Sequence, residues 1–317
     1  MSLPETLREG LLIPAIAAPM FLVSGPDMVV EACRSGVIGT FPALNQRSSE
    51  GYEAWLDEIE QRLDDIRVQT SRSPARYGVN LIVHKTNTRV ERDLEIAVRH
   101  RVPLVITSLG AARAVVDAVH SYGGVVFHDV IHLHHARKAA EAGVDGIIAV
   151  SAGAGGHAGT LSPFAFLAEI RAFFDKTVVL SGAITNGKQI AAAQLMGADL
   201  AYLGTRFIST RESLAPEGFK EMILEANAKD IVYTDAISGV RANFLRASIV
   251  AAGGDPDNLP PHNGMRVSAE GELKAWKDIW SAGHGVGDIH DIPSTAQLCE
   301  RLIREYRDAA RVLSSNG

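Results

Sequence analysis

The sequence predicts an α/β fold, a (β/α)8 TIM barrel with a smaller helical cap domain, from two features of the chain. Eight short aliphatic runs recur between residue 11 and about residue 210, without the polar alternation of half-exposed strands. Segments with apolar residues at helical spacing, such as 49–67 and 87–101, separate these runs. Alternating strands and helical crossovers of this number are typical of a barrel of parallel strands.

The candidate strands cover residues 12–19, 36–40, 77–83, 103–108, 124–130, 146–151, 177–182 and 200–205. The alternation ends after Thr210, and a last amphipathic helix over 295–313 is expected to return and close the barrel. We therefore assign residues 1–215 together with 291–317 to the barrel, and residues 216–290 to a helical cap. Helices are expected at 216–230 and 269–285. The cap is expected to act as a lid over one end of the barrel, and a plain surface excursion is the open alternative.

Composition excludes several classes of protein. The chain has 317 residues, 46% of them hydrophobic and 21% charged, with a net charge of −6 and a mean hydropathy of +0.06. A net negative charge does not favour binding to nucleic acid or to an anionic membrane. The longest apolar run, 11–23, is too short to span a bilayer. Two distant cysteines, Cys33 and Cys299, give no sign of a disulfide framework. We expect a cytoplasmic protein without nucleic-acid or membrane partners, and the sequence leaves open whether it is a homodimer.

The sixth candidate strand runs into an unusual stretch, VSAGAGGHAGT at residues 150–160. Its glycines would allow the backbone to lie along a flat ring system. His157 is the one side chain in it that can carry acid–base chemistry, and strand C-termini form the active sites of (β/α)8 barrels. We therefore expect His157 to be catalytic, while a buried structural histidine is the alternative.

The seventh and eighth strands end in glycine-containing turns, LSGAITNGKQI at 180–190 and YLGTRF at 202–207. Turns at these two strands commonly bind phosphate through backbone N–H groups and a helix N-terminus. A helix is expected from about Gly187. The predicted phosphate contacts are the amides of Gly182, Ala183, Gly204 and Thr205 and the hydroxyl of Thr205.

Two other polar features need an interpretation. Asn80 lies among aliphatic residues of the third strand, where its amide would either bond the edge of a heterocycle or cap a strand. The segment 128–143 holds four histidines, His128, His132, His134 and His135. Because no HExxH motif and no carboxylate at suitable spacing accompanies them, we expect no metal.

Six motifs together resemble the nitronate monooxygenase family, formerly called 2-nitropropane dioxygenases. They are APM at 18–20, GVN at 78–80, AGGHAG at 154–159, LSGAIT at 180–185, LGTRF at 203–207 and IWSAGHG at 279–285. The resemblance implies FMN inside a (β/α)8 barrel that has a second, helical domain. It implies oxidation of small nitronates, or of nitroalkanes, by O2 to carbonyl compounds and nitrite, with redox chemistry supplied by the flavin.

The resemblance also implies positions for the cofactor. The flavin ring would lie against Ala18, Pro19 and Met20, beside Asn80 and Gly156. The phosphate would lie at Gly182, Ala183, Gly204 and Thr205, and His157 would be the catalytic histidine. The chain departs from the family pattern at two places. Phe21-Leu22-Val23 stands where many relatives have glycines, and Asp129 stands where many have lysine.

Two alternative functions remain open from the sequence. An FMN-dependent enoyl-[acyl-carrier-protein] reductase would share the barrel, the flavin and the histidine motif, but it would use NAD(P)H. A flavin-binding sensor barrel without turnover would need no catalytic group, and a histidine in a pocket otherwise built from glycine weighs against it.

Overall fold

A closed barrel of eight parallel strands organises the computed structural model, which describes residues 2–84, 86–110, 113–259 and 279–315. The barrel strands are β1 (Ala15–Ala17), β2 (Ile38–Pro42), β3 (Tyr77–Ile82), β4 (Leu104–Ser108), β5 (Val125–Val130), β6 (Gly146–Val150), β8 (Thr177–Ser181) and β9 (Leu200–Leu203). Closure is made by β9 pairing with β1, where Ile16 lies opposite Tyr202. The predicted barrel is confirmed, and the first strand is shorter than predicted because Pro14 and Pro19 bound it.

Helices cover the outside of the barrel and lead into the remaining segments. They are α1 (Pro26–Arg34), α2 (Ser49–Thr70), α3 (Val90–Arg99), α4 (Arg113–His120), α5 (Leu133–Glu141), α6 (Pro163–Arg171), α7 (Gly187–Leu195), α8 (Thr205–Ile208), α9 (Glu217–Glu225), α10 (Arg246–Ala251) and α11 (Thr295–Ser315). The last helix, α11, packs against α7 and α1, so it completes the outer ring as the sequence predicted. None of the helices within the described ranges is both long and apolar enough to cross a membrane.

Alternate residues of each strand face the barrel interior, and this places the site. The interior cluster includes Ile16, Leu104, Phe127, Ile148 and Leu200, all of them buried. The next inward positions, nearer the strand C-termini, change from aliphatic to polar. They are Asn80, Ser108, Asp129, Ser181 and Tyr202. Polar side chains therefore line the C-terminal mouth of the barrel, and apolar side chains fill the interior beneath them.

The segment after the barrel contains a β-hairpin that the sequence analysis did not predict. Strands β10 (Ile231–Thr234) and β11 (Ala242–Leu245) are antiparallel, and β11 also pairs with the short β7 (Gly156–His157). The helix expected at 216–230 is observed as α9 followed by a 3-10 turn, Ala228–Asp230. Much of the helix expected at 269–285 lies outside the described residues, and a 3-10 turn at His284–Asp288 follows a non-helical stretch from 279. The division into barrel and cap stays a prediction.

Candidate active site

The glycine-rich loop after β6 is fixed in place by the β10–β11 hairpin and by residues 281–284. The Gly156 amide donates to Ser281 Oγ at 2.6 Å, and Ser281 Oγ donates to the Asn243 carbonyl at 2.6 Å. Asn243 Nδ2 donates to the Ala154 carbonyl at 2.7 Å, and the His284 amide donates to the Gly153 carbonyl at 2.9 Å. Both segments from the later part of the chain therefore reach the mouth of the barrel.

The small residues of this loop serve two different purposes. A Cβ on Gly283 would lie 2.4 Å from the Gly153 carbonyl oxygen and 2.9 Å from the Gly155 nitrogen, so these glycines let two backbones pack together. Gly156 differs, because its φ is +69° and a Cβ built on it would have no neighbour within 4 Å. Its backbone thus borders open space, as a ligand-facing position requires.

His157 follows directly on β7 and pairs across it with Ala242. The side chain is half-buried, and its Nε2 atom is inaccessible to solvent. Burial lowers the pKa of His157 below its usual 6.5, because a charged imidazolium would lose its hydration. The ring is therefore neutral at pH 7, and a neutral imidazole accepts a proton rather than pairing with an anion.

The turn after β8 contains two consecutive residues in the positive-φ region, Gly182 at +140° and Ala183 at +53°. The N-terminus of α7, however, is already satisfied. The Gln189 amide donates to Asn186 Oδ1, and the Gly187 amide donates to Glu305 Oε2, both at 2.9 Å. Two amides at this helix N-terminus are therefore already paired, and the phosphate contacts at Gly182 and Ala183 stay a prediction.

The turn after β9 retains its predicted donors. Thr205 Oγ1 accepts a hydrogen bond from the Gly283 amide at 2.9 Å, so its own hydroxyl proton remains able to donate to a ligand. A Cβ on Gly204 would meet Met20 Sδ at 3.7 Å and Ala18 Cβ at 3.8 Å. The turns after β1 and β9 are thus neighbours at the mouth, as the predicted ring and phosphate contacts require.

Gly204 and Gly182 are both predicted to contact the phosphate, but they differ in the space available for a side chain. Gly204→Ala adds a methyl group that the chain itself accommodates, so we expect the free energy of unfolding to stay near wild type. If Gly204 borders the phosphate, FMN affinity should fall at least about tenfold, which corresponds to about 1.4 kcal/mol. Isothermal titration with FMN and thermal unfolding measure the two effects.

The matched comparison is Gly182→Ala. Its Cβ would lie 2.5 Å from Ser151 Oγ and 2.8 Å from the Ala152 carbonyl oxygen, so this variant should lose stability even without FMN. A Gly204→Ala protein that binds FMN as tightly as wild type would place the phosphate elsewhere.

The turn after β1 is held without the glycines found in many relatives. Leu22 takes a left-handed φ of +59°, a conformation that costs a residue with a Cβ roughly 1–2 kcal/mol. Asn45 compensates, because its Oδ1 accepts from the Leu22 amide at 2.9 Å and its Nδ2 donates to the Met20 carbonyl at 3.1 Å. This clamp orients Ala18, Pro19 and Met20 toward Gly204 despite the departure from the family pattern.

Asn80 begins a chain of hydrogen bonds across the floor of the mouth. Its Nδ2 donates to Ser108 Oγ at 2.7 Å, and Ser108 Oγ donates to Asp129 Oδ2 at 2.5 Å. The nitrogen also lies 3.3 Å from the Ile106 carbonyl. The amide nitrogen is thus used within the protein, and the carbonyl oxygen of Asn80 is the atom left for a heterocycle. Neither interpretation of Asn80 from the sequence included this series of hydrogen bonds.

Asp129 is a second titratable group at the mouth, besides His157. Burial raises the pKa of its carboxyl to about 6, although the bond from Ser108 opposes that rise. Ser108 and Tyr202 were missed by the sequence analysis, and Asp129 was noted only as a departure from the family. Their shared signal is position, since each is the inward-facing residue at the C-terminal end of a strand.

The four histidines of 128–143 do different things. His128 faces away from the barrel interior, where its Nδ1 lies 2.7 Å from Thr107 Oγ1 and burial lowers its pKa to about 4. His132 caps α5, accepting from the His135 amide at 3.3 Å. Across the described ranges, no group of three or more His, Cys, Asp or Glu side chains is arranged to hold a metal ion.

The fold and the position of these residues define a (β/α)8-barrel protein whose candidate site lies at the C-terminal ends of the strands. A family model described as nitronate monooxygenase matches residues 9–305. This chain belongs to the nitronate monooxygenase family, which confirms the resemblance carried by the six motifs.

Individual proteins are similar to this chain in sequence or in fold. A nitronate monooxygenase from Paraburkholderia phytofirmans is 28% identical over 360 aligned positions, covering 96% of this chain and 95% of that protein. Nitroalkane oxidase from Streptomyces ansochromogenes superposes with a TM-score of 0.81 at 22% identity, covering 97% and 100% of the two chains. FabK from Thermotoga maritima superposes with a TM-score of 0.78 at 20% identity, covering 99% and 98%. At these identities the two structures support the fold alone. The chain spans 56% and 65% of the length of two other curated relatives that it matches.

Proposed function

We propose that this protein is an FMN-dependent oxidoreductase that converts alkyl nitronates and O2 to carbonyl compounds and nitrite. Family membership supports the reaction class, as does the name of the Paraburkholderia relative. The observation that carries the assignment of the site is Gly156, which has a positive φ, faces open space and precedes a neutral, half-buried His157.

The residues at the mouth fit a flavin. Gly156 offers an unobstructed backbone for a flat ring, and the turn formed by Ala18, Pro19 and Met20 would contact the same ring. Asn80 offers a carbonyl oxygen, and the Gly182–Ala183 and Gly204–Thr205 turns offer amides for the phosphate. When bound, the flavin supplies the electron transfer between nitronate and O2.

His157 handles the proton in this proposal. Because its pKa is lowered, its imidazole is in the basic form at neutral pH and takes the proton from the α-carbon of a neutral nitroalkane. The resulting nitronate needs no further proton removal. Because the imidazole is buried, water is excluded and does not compete with the nitroalkane for the basic ring nitrogen.

The first expected result is that the protein purifies yellow and releases FMN, not FAD, on denaturation. The sequence contains no GxGxxG fingerprint of the kind that binds a dinucleotide. Absorbance spectra and chromatography of the released flavin test this expectation. A colourless protein that does not take up FMN in titration would contradict the proposed cofactor.

Oxygen uptake then tests the reaction. The yellow protein should consume O2 and release nitrite with propionate 3-nitronate, and it should oxidise NADH slowly in the absence of nitronate. Rapid NADH oxidation coupled to an enoyl thioester, with no nitrite from nitronate, would favour the reductase alternative. Inactivity with both substrates would favour a sensor.

A further inference from the structure

Two polar atoms at the mouth of the barrel are buried and have no hydrogen-bond partner within the described part of the chain. One is Asp129 Oδ1 and the other is the hydroxyl oxygen of Tyr202, a side chain that is only 8% exposed. They lie on β5 and β9, three strands apart around the barrel, so they face each other across its interior. Burying such groups unpaired is unfavourable, and a ligand that pairs with both would remove that cost.

Both groups share the site with residues assigned to the flavin. Tyr202 lies on β9, two residues before Gly204, which directly follows the strand. Asp129 ends the hydrogen-bond chain that starts at Asn80, and Ser108 fixes the rotation of its carboxyl group. The orientation of the unpaired oxygen is therefore set before any ligand binds.

The chemistry of the pair selects a ligand edge with a donor beside an acceptor. An ionised carboxylate accepts a hydrogen bond, and a phenol donates one. The imide edge of a flavin ring presents an N–H between two carbonyl groups and matches both. A nitro or nitronate group presents oxygens only, and an anionic nitronate would be repelled by ionised Asp129.

We propose that Asp129 and Tyr202 bind the imide edge of the FMN ring, and that Asp129 makes the protein bind oxidised FMN in preference to reduced FMN. This proposal rests on the proposed function. Reduction places negative charge on the ring, and a carboxylate within hydrogen-bond distance raises the free energy of that form. Asp129 acts here as a cofactor-binding residue that also adjusts the redox preference of the site.

The preference should depend on pH. The neighbours of Asp129 on the flanking strands are Ser108 on β4 and the apolar Ile148 on β6, and Tyr202 faces it from β9. Burial, followed by the charge of Asp129, raises the pKa of Tyr202 well above its usual value, so this phenol stays neutral. Asp129 itself has a pKa of about 6, so it is protonated below that pH and disfavours reduced FMN only above it.

The test measures the dissociation constants of oxidised FMN and of dithionite-reduced FMN, in wild type and Asp129→Asn, at about pH 5 and about pH 8. At the higher pH, the variant should bind reduced FMN at least about tenfold more tightly relative to oxidised FMN than wild type does. At the lower pH the two proteins should converge. Wild type and Asp129→Asn are compared at the same pH, so the protonation of free reduced FMN affects both proteins equally and does not change the comparison.

Three further variants test the separate contributions of Ser108 and Tyr202. Ser108→Ala removes the bond that lowers the pKa of Asp129, so this variant should lose the preference at a higher pH than wild type does. Tyr202→Phe should weaken both redox forms similarly, whereas Tyr77→Phe, at the opposite end of the barrel, should weaken neither. Equal ratios in wild type and Asp129→Asn at both pH values would overturn the proposal. A wild-type protein that binds no FMN would instead refute the proposed function.

Discussion

Replacing His157 with alanine is expected to slow turnover of neutral nitroalkanes by about 10²–10⁴-fold, the usual contribution of a positioned general base. A preformed nitronate has no α-proton to remove, so its oxidation should fall much less. FMN content should stay near wild type, because the proposed cofactor contacts are mainly backbone groups. Steady-state rates with nitroethane and with ethyl nitronate, at equal flavin content, measure the difference.

The pH dependence adds an independent check on His157. Its pKa is lowered by burial, so the basic form is complete at neutral pH and is lost as the pH falls through a value below 6.5. Nitroalkane turnover by wild type should therefore fall at acidic pH. His120→Ala, at the end of α4 away from the mouth, is the control and should keep both activities. Equal losses with both substrates would show that His157 orients the anion, and unchanged rates would make it structural.

Gly283→Ala is expected to damage the site through the backbone. The added Cβ would lie 2.4 Å from the Gly153 carbonyl oxygen and 2.9 Å from the Gly155 nitrogen, neither of which can move alone. Separating the two segments should cost about 1–3 kcal/mol of stability. It also disturbs the bond from the Gly283 amide to Thr205, so FMN affinity should fall at least about tenfold, or by about 1.4 kcal/mol.

A nearby glycine provides the control for this variant. A Cβ on Gly287 would find its nearest neighbour, Asn227 Cα, at 3.6 Å, so Gly287→Ala should retain stability and FMN affinity. Chemical unfolding and FMN titration compare the two proteins. If Gly283→Ala unfolds and binds FMN as wild type does, the contact between these loops does not shape the site.

The barrel was predictable because its strands are buried on both faces. Runs such as 146–151 and 177–182 contain three or four consecutive aliphatic residues without polar alternation, which is typical of a parallel sheet covered by helices. The hairpin of β10 and β11 gave no such signal. Its first strand, IVYT, is half-buried, and Asn243 on its second strand is a buried polar residue that a local pattern would place in a loop.

The candidate site was predictable only where its geometry depends on residues that are close together in the sequence. The positive φ of Gly156 follows from a glycine-rich loop at a strand end. The roles of Gly153 and Gly283 depend on a contact between segments 130 residues apart in the chain, so no local pattern reveals that they pack against each other. The pairing of Asp129 with Ser108, and its position opposite Tyr202, likewise depend on which strands become neighbours in the closed barrel.

Anaerobic mixing of the FMN-loaded protein with propionate 3-nitronate tests the central claim most directly. We expect the visible absorbance of oxidised flavin to decrease on mixing and to return when O2 is admitted, with nitrite in solution. An absorbance unchanged by nitronate but bleached by NADH would contradict the proposed reaction, because electrons would then enter the flavin from a different class of substrate.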